Sequence, residues 1–80
     1  MKIQVKLFAT LQRYAPAGQF AGEPFEMELP EGGTIAMVVE RLAIRSHEVK
    51  VTFVNGRARA EVYRLKDGDE VGIFPPVGGG

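Results

Sequence analysis

The chain has 80 residues, 10 basic and 10 acidic, with 45% hydrophobic residues, no cysteine and one histidine. That length holds one small domain with a single core. A formal net charge of zero provides no global field for nucleic acid or an anionic membrane surface. Without cysteine there is no disulfide, thiolate nucleophile, zinc knuckle or iron–sulfur cluster. The lone His47 is too few ligands for a metal site and reads as a surface or capping residue. No apolar run is long enough to span a membrane, and the alternating N-terminus does not resemble a signal peptide. A cytoplasmic location is the expectation.

The apolar pattern is clear along the chain. Ile3, Val5 and Leu7 alternate with Lys2, Gln4 and Lys6, as in a half-buried first strand. Residues from Gln12 to Gly22, with Pro16 and Gly18, form a turn-rich connection of open path. Phe25, Met27 and Leu29 alternate with glutamates in a second strand. Pro30-Glu31-Gly32-Gly33 breaks the pattern. Ile35, Val38, Val39 and Leu42 then fall on one face of a short helix, with Thr34 as N-cap.

Val49, Val51 and Phe53 alternate with Lys50 and Thr52, which predicts a third strand with those three facing inward. Asn55-Gly56 is a tight-turn signal, since both residues tolerate positive φ. A weaker strand is expected near Arg59 to Val62. Asp67-Gly68-Asp69 is another turn, so its two carboxylates read as turn chemistry rather than a catalytic pair. Val71 and Ile73 begin the last strand. The order strand, strand, helix, strand, short strand, strand gives an α+β roll: a mixed sheet of four to five strands on one main helix, first and last strands adjacent at its centre.

The end of the sequence reads differently. Phe74-Pro75-Pro76-Val77 leads into Gly78-Gly79-Gly80. Consecutive prolines stop sheet pairing and stiffen the backbone. Residues 75–80, fully extended, span about 20 Å at roughly 3.3 Å per residue. The domain is thus expected over 1–74 and a flexible tail over 75–80. Bare glycines fit a channel that any Cβ would block, and the chemistry available there is the Gly80 carboxylate. A frayed end is the plain alternative, and the stiff stalk before the glycines argues against it.

These residues carry a resemblance. The stretch Asp67-Gly68-Asp69-Glu70-Val71 through Phe74-Pro75-Pro76-Val77-Gly78-Gly79-Gly80 resembles the C-terminus of the ubiquitin-like sulfur carriers, the MoaD/ThiS family. Val5 to Leu11, Pro30 to Ile35 and Val54-Asn55-Gly56 resemble the same family, and the Phe-Pro-Pro-Val spelling favours its molybdopterin synthase branch. The resemblance implies a ubiquitin-like β-grasp fold and a carrier that is not an enzyme on its own. It implies that an activating adenylyltransferase uses ATP to adenylate the Gly80 carboxylate, and that sulfur then displaces AMP to leave a thiocarboxylate. It implies delivery to a pterin inside the large molybdopterin synthase subunit, with Gly78 and Gly79 threading the tail. No bound cofactor, metal, nucleic acid or membrane is implied. Gly78 stands where relatives often carry a Cβ, which leaves the thiamine or tungsten pathways open.

Phe8 and Phe74 fall out of phase with the inward residues of their strands, so both rings should point away from the core. The family's apolar docking surface carries over onto Phe8 and Phe74, with Ala58 as a third, smaller member and Pro75, Pro76 and Val77 at the tail root. A satellite cluster under the Pro16–Gly22 loop is the alternative. Arg57, Arg59, Arg64 and Lys66 form either a solvated face or a salt-sensitive contact for an acidic partner. Glu23, Glu26, Glu28 and Glu31 give an acidic edge that also discourages edge-to-edge pairing. A protein modifier joined to lysines through Gly80, or a passive interaction module, are the competing functions.

Overall fold

The computed structural model describes residues 1–17 and 22–76. The strands are β1 (Lys2–Leu7), β2 (Phe25–Glu28), β3 (Val51–Val54), β4 (Arg57–Ala58) and β5 (Glu70–Phe74), and the helix α1 covers Ile35–Arg41. Short 3₁₀ turns occupy Ala9–Tyr14 and Ser46–Glu48. The sheet order is β2-β1-β5-β3-β4. As the strand order predicts, β1 and β5 are central neighbours, and they run parallel with Val5 beside Val71 and Leu7 beside Ile73. The other pairings are antiparallel.

Alternation sorts the side chains of the two central strands. Ile3, Val5, Leu7, Val71 and Ile73 are buried on one face and join Ile35, Val38 and Val39 of α1 in a single core. Each such side chain contributes roughly 1.5–3 kcal/mol by leaving water. The helix begins as its sequence predicts: the Thr34 hydroxyl accepts the Met37 N–H at 3.4 Å. It ends in a Schellman arrangement, with Ala43 N–H donating to Glu40 and Ile44 N–H donating to Val39. Ala43 sits at φ 60°, where glycine is usual, so this cap carries backbone strain.

Two expectations are corrected. In β3 the buried residues are Thr52 and Val54, while Val51 and Phe53 face the other side. The reason is register. The Asn55–Gly56 turn, with φ of 52° and 84°, pairs Val54 with Arg57, and β5 pairs Val54 with Val71. A core residue on β5 therefore selects Val54, and a shift of one residue reverses the whole strand.

The weak strand is Arg57–Ala58 rather than Arg59 to Val62. After Arg59 the chain turns toward the helix start, where Tyr63 and Glu61 carbonyls accept the Ile35 and Ala36 N–H groups at 3.3 and 2.9 Å. Those amides have no partner inside the helix, and serving them takes the segment out of the sheet.

The Asp67–Asp69 turn is structural, as read. Asp67 accepts the Lys2 N–H at 2.7 Å, and Asp69 accepts the Lys66 N–H and the Asn55 side chain. His47 is exposed. Among the described residues no helix is long and apolar enough to cross a membrane.

Candidate functional site: the aromatic face and the root of the tail

The face of the sheet opposite α1 has no covering layer among the described residues, and three rings gather on it. Phe8 follows β1, where its alternation places it with Lys6 and away from Leu7. Phe74 ends β5 in the same sense. The two rings stack with centroids 4.0 Å apart and planes 5° from parallel. Phe53 meets Phe74 edge-on at 5.4 Å and 76°. Aromatic pairs of this kind add about 0.5–1.5 kcal/mol beyond burial.

The stack depends on Gly72. A Cβ built there would lie 3.3 Å from Phe8 Cε2 and 3.8 Å from Phe74 Cε1. The absent side chain lets the rings close over the strand, which is one meaning of glycine inside a β-strand. The rings, Gly72, Lys6, Glu70 and Gly56 line an open hollow of about 250 Å³. Its walls are apolar, while a cation and a carboxylate mark its sides.

This face sits at the base of the tail. The Phe74 carbonyl accepts the Lys50 N–H at 2.8 Å, and the Ile73 carbonyl accepts the Phe8 N–H at 3.2 Å. The strand is thus held from both sides up to its last residue. Pro75 follows, half-buried, then Pro76, exposed. Proline has no N–H to extend a ladder, so pairing stops where the tail begins. Val77, Gly78, Gly79 and Gly80 lie outside the described residues.

Of the expected interface residues, Phe8 and Phe74 are together at one end of the face, and Pro75 and Pro76 follow directly in the chain. Ala58 is exposed and stands opposite Phe53 in the β3–β4 pair, two strands beyond the Phe8–Phe74 stack. Phe53 and Gly72 are the members that alternation alone misses. The outward turn of Phe53 follows from its pairing with β5 and has no local signal, whereas a glycine in a strand pattern is itself a signal of close approach.

A second cluster escapes sequence reading. Arg13 donates to Tyr14 and Glu48, and the Tyr14 hydroxyl donates to Glu48. These contacts tie the 3₁₀ turn after β1 to the turn before β3. The Tyr14 hydrogen bond, reinforced by Arg13, holds the Glu48 carboxyl below the usual carboxylate range. The same contact with Glu48 raises the Arg13 guanidinium. Among the described residues no group of His, Asp and Glu is placed to hold a metal.

The site lacks a nucleophile, an acid–base pair and a metal set among the described residues. What it offers is an apolar platform beside a tail root. The model of the ThiS family matches residues 5–80. SAMP1, a small archaeal modifier protein of Haloferax volcanii, is 26% identical with a TM-score of 0.74, and the match covers 100% of both chains. A putative molybdopterin converting factor subunit 1 from Pyrococcus furiosus is 34% identical with a TM-score of 0.69, covering 95% of this chain and 98% of that one. A complex of subunits 1 and 2 of molybdopterin-converting factor from Helicobacter pylori is similar in fold, with 22% identity, a TM-score of 0.58 and 100% coverage of both chains. No curated protein matches the chain. With the β-grasp sheet, the aromatic platform and a family match from Val5 to Gly80, the chain belongs to the ThiS family of ubiquitin-like sulfur carriers, small carrier proteins that are not enzymes in themselves.

Proposed function

We propose that the protein is a sulfur carrier of the molybdopterin synthase small-subunit type. The observation that carries this reading is the family match running through Gly80, joined to an aromatic platform at the root of the same tail. A carboxylate at neutral pH is a poor acyl donor, because its charge repels nucleophiles and it has no good leaving group. In this reading an activating adenylyltransferase uses ATP to convert the Gly80 carboxyl to an adenylate. Sulfur then displaces AMP and leaves a thiocarboxylate, which supplies the dithiolene sulfur of a molybdenum or tungsten pterin cofactor.

The chain's own residues supply recognition and reach. Phe8, Phe74 and Phe53 present the apolar surface to the activating enzyme and to the large synthase subunit. Pro75, Pro76 and Val77 direct the tail, and Gly78 and Gly79 pass through a channel too narrow for a Cβ. The Pyrococcus furiosus likeness supports the molybdopterin branch, and the Helicobacter pylori fold neighbour is itself a complex of two subunits.

The likeness to SAMP1 favours a second reading, a modifier joined to lysines through Gly80. Both readings share the adenylate and differ in its fate. Intact-mass measurement on protein from its native cell separates them: one oxygen-for-sulfur exchange is expected for the carrier, a ladder of heavier conjugates for the modifier. Removing Gly79 and Gly80 is expected to abolish sulfur transfer and leave the melting temperature unchanged. Full transfer by the shortened chain would overturn both readings.

A further inference from the structure

The zero net charge conceals a separation. The β2 edge carries Glu26 and Glu28, with Lys2 3.9 Å from Glu26 and the N-terminal amine 3.8 Å from Glu31. The opposite edge, β4 and the segment after it, carries Arg57, Arg59 and Arg64, all exposed. None of these three arginines enters an ion pair among the described residues.

A groove lies on that basic edge. β4 pairs with β3 at only two positions, Phe53 with Ala58 and Val54 with Arg57. Arg59 adds two more hydrogen bonds to Thr52, its N–H donating to the Thr52 carbonyl at 2.9 Å and its carbonyl accepting the Thr52 hydroxyl, before the chain leaves for the helix start. Val51, at the start of β3, has no register partner on β4. Beside it runs a groove of about 350 Å³, with Val49, Val51 and Ala60 as apolar lining and Lys50, Arg59 and Glu61 as charged lining. The Arg59 guanidinium lies 4.9 Å over the Tyr63 ring, a contact that restrains it in place.

We propose that this groove docks an extended acidic segment of a partner protein, with aliphatic side chains against Val49, Val51 and Ala60 and carboxylates meeting Lys50 and Arg59. The charge balance of the groove favours anions: two cations stand against the single carboxylate of Glu61. The lining favours peptide over nucleic acid. It is small and aliphatic, the nearby Tyr63 ring is already engaged by Arg59, and base stacking has no free ring there. The groove lies at the other edge from the acidic strand and shares none of its lining with the hollow over Gly72; Ala58, an expected interface residue, is the one member of the carrier's docking surface that lines it.

The test uses the full chain, isotope-labelled, titrated with a synthetic peptide of alternating valine and glutamate. The same titration is run with the glutamine analogue of that peptide and with a single-stranded oligonucleotide. Amide signals of Val49 to Thr52 and Ala58 to Glu61 should move while those of Phe8 and Gly72 stay. Affinity should fall about tenfold for the glutamine analogue, and similarly for Arg59→Glu or Lys50→Glu, each checked for folding by its own spectrum. Loss of Gly79 and Gly80 should leave peptide binding unchanged, which separates this site from the tail. Absence of binding, equal binding of the glutamine analogue or of both charge-reversed variants, shifts confined to the aromatic face, or tighter binding of the oligonucleotide would each overturn the proposal.

Discussion

The two faces of the central strands are built from alternate residues of the same segments, yet they answer to different demands. On the helix side Ile3, Val5, Val71 and Ile73 are fully buried and have no freedom of size. On the other side Lys6, Phe8, Gly72 and Phe74 share those strands, and their rings bound an open hollow instead of a filled core. The first face holds the protein together; in the carrier reading the second is where another protein lands. A single step along β5, from Ile73 to Phe74, crosses from one role to the other.

The largest expected effect falls on the core face. Ile73→Ala should cost about 2–5 kcal/mol in a denaturant titration, since it opens a cavity among fully buried neighbours. A loss below about 1 kcal/mol would mean that this face tolerates vacancy as the open face does.

Phe74→Ala tests the other side. Binding to the activating enzyme or the large subunit should weaken about tenfold or more, measured by calorimetry, with a smaller loss of fold stability because the ring is only half-buried. Equal losses of binding and stability would show that the two faces are not functionally distinct. Gly72→Val sharpens the comparison. The β-branched side chain suits a strand and offsets part of the stacking lost, so the net loss of stability should stay within about 1.5 kcal/mol. The added atoms must displace the Phe8 ring, so partner affinity should still fall.

Two smaller effects lie away from both faces. Ala43→Gly relieves the positive φ at the helix end and should raise stability by about 1 kcal/mol. Glu48→Gln removes the charge that Tyr14 and Arg13 hold. The Glu48 carboxyl lies below its ordinary value in the fold, so its contribution is present above the unfolded-state pKa of about 4.3 and is lost as pH falls through the folded value. The variant should therefore melt lower than the parent at neutral pH, and the two curves should converge in acid. A gap that persists or widens in acid would assign the effect to something other than that charge.

Much of this architecture is legible in the residues. Alternation at Ile3-Val5-Leu7 and the 3.6 period after Thr34 are local consequences of burying one face, so strands and helix announce themselves. The outward turn of Phe8 and Phe74 follows from the same count, and the tail motif needs no folding to be read. The adjacency of β1 and β5 follows from element order and the need to cover the helix.

What only the tertiary structure decided involves pairings between distant segments. β3 holds apolar residues at both parities, so its own pattern cannot say whether Phe53 or Val54 faces the core; the turn and the register with Val71 decide it. The role of Gly72 emerges only when rings from two strands meet above it. Arg13 and Glu48 lie 35 residues apart, and no periodicity within one segment can report their contact. Local chemistry names the elements, and the pairing of elements determines which side chains stand together.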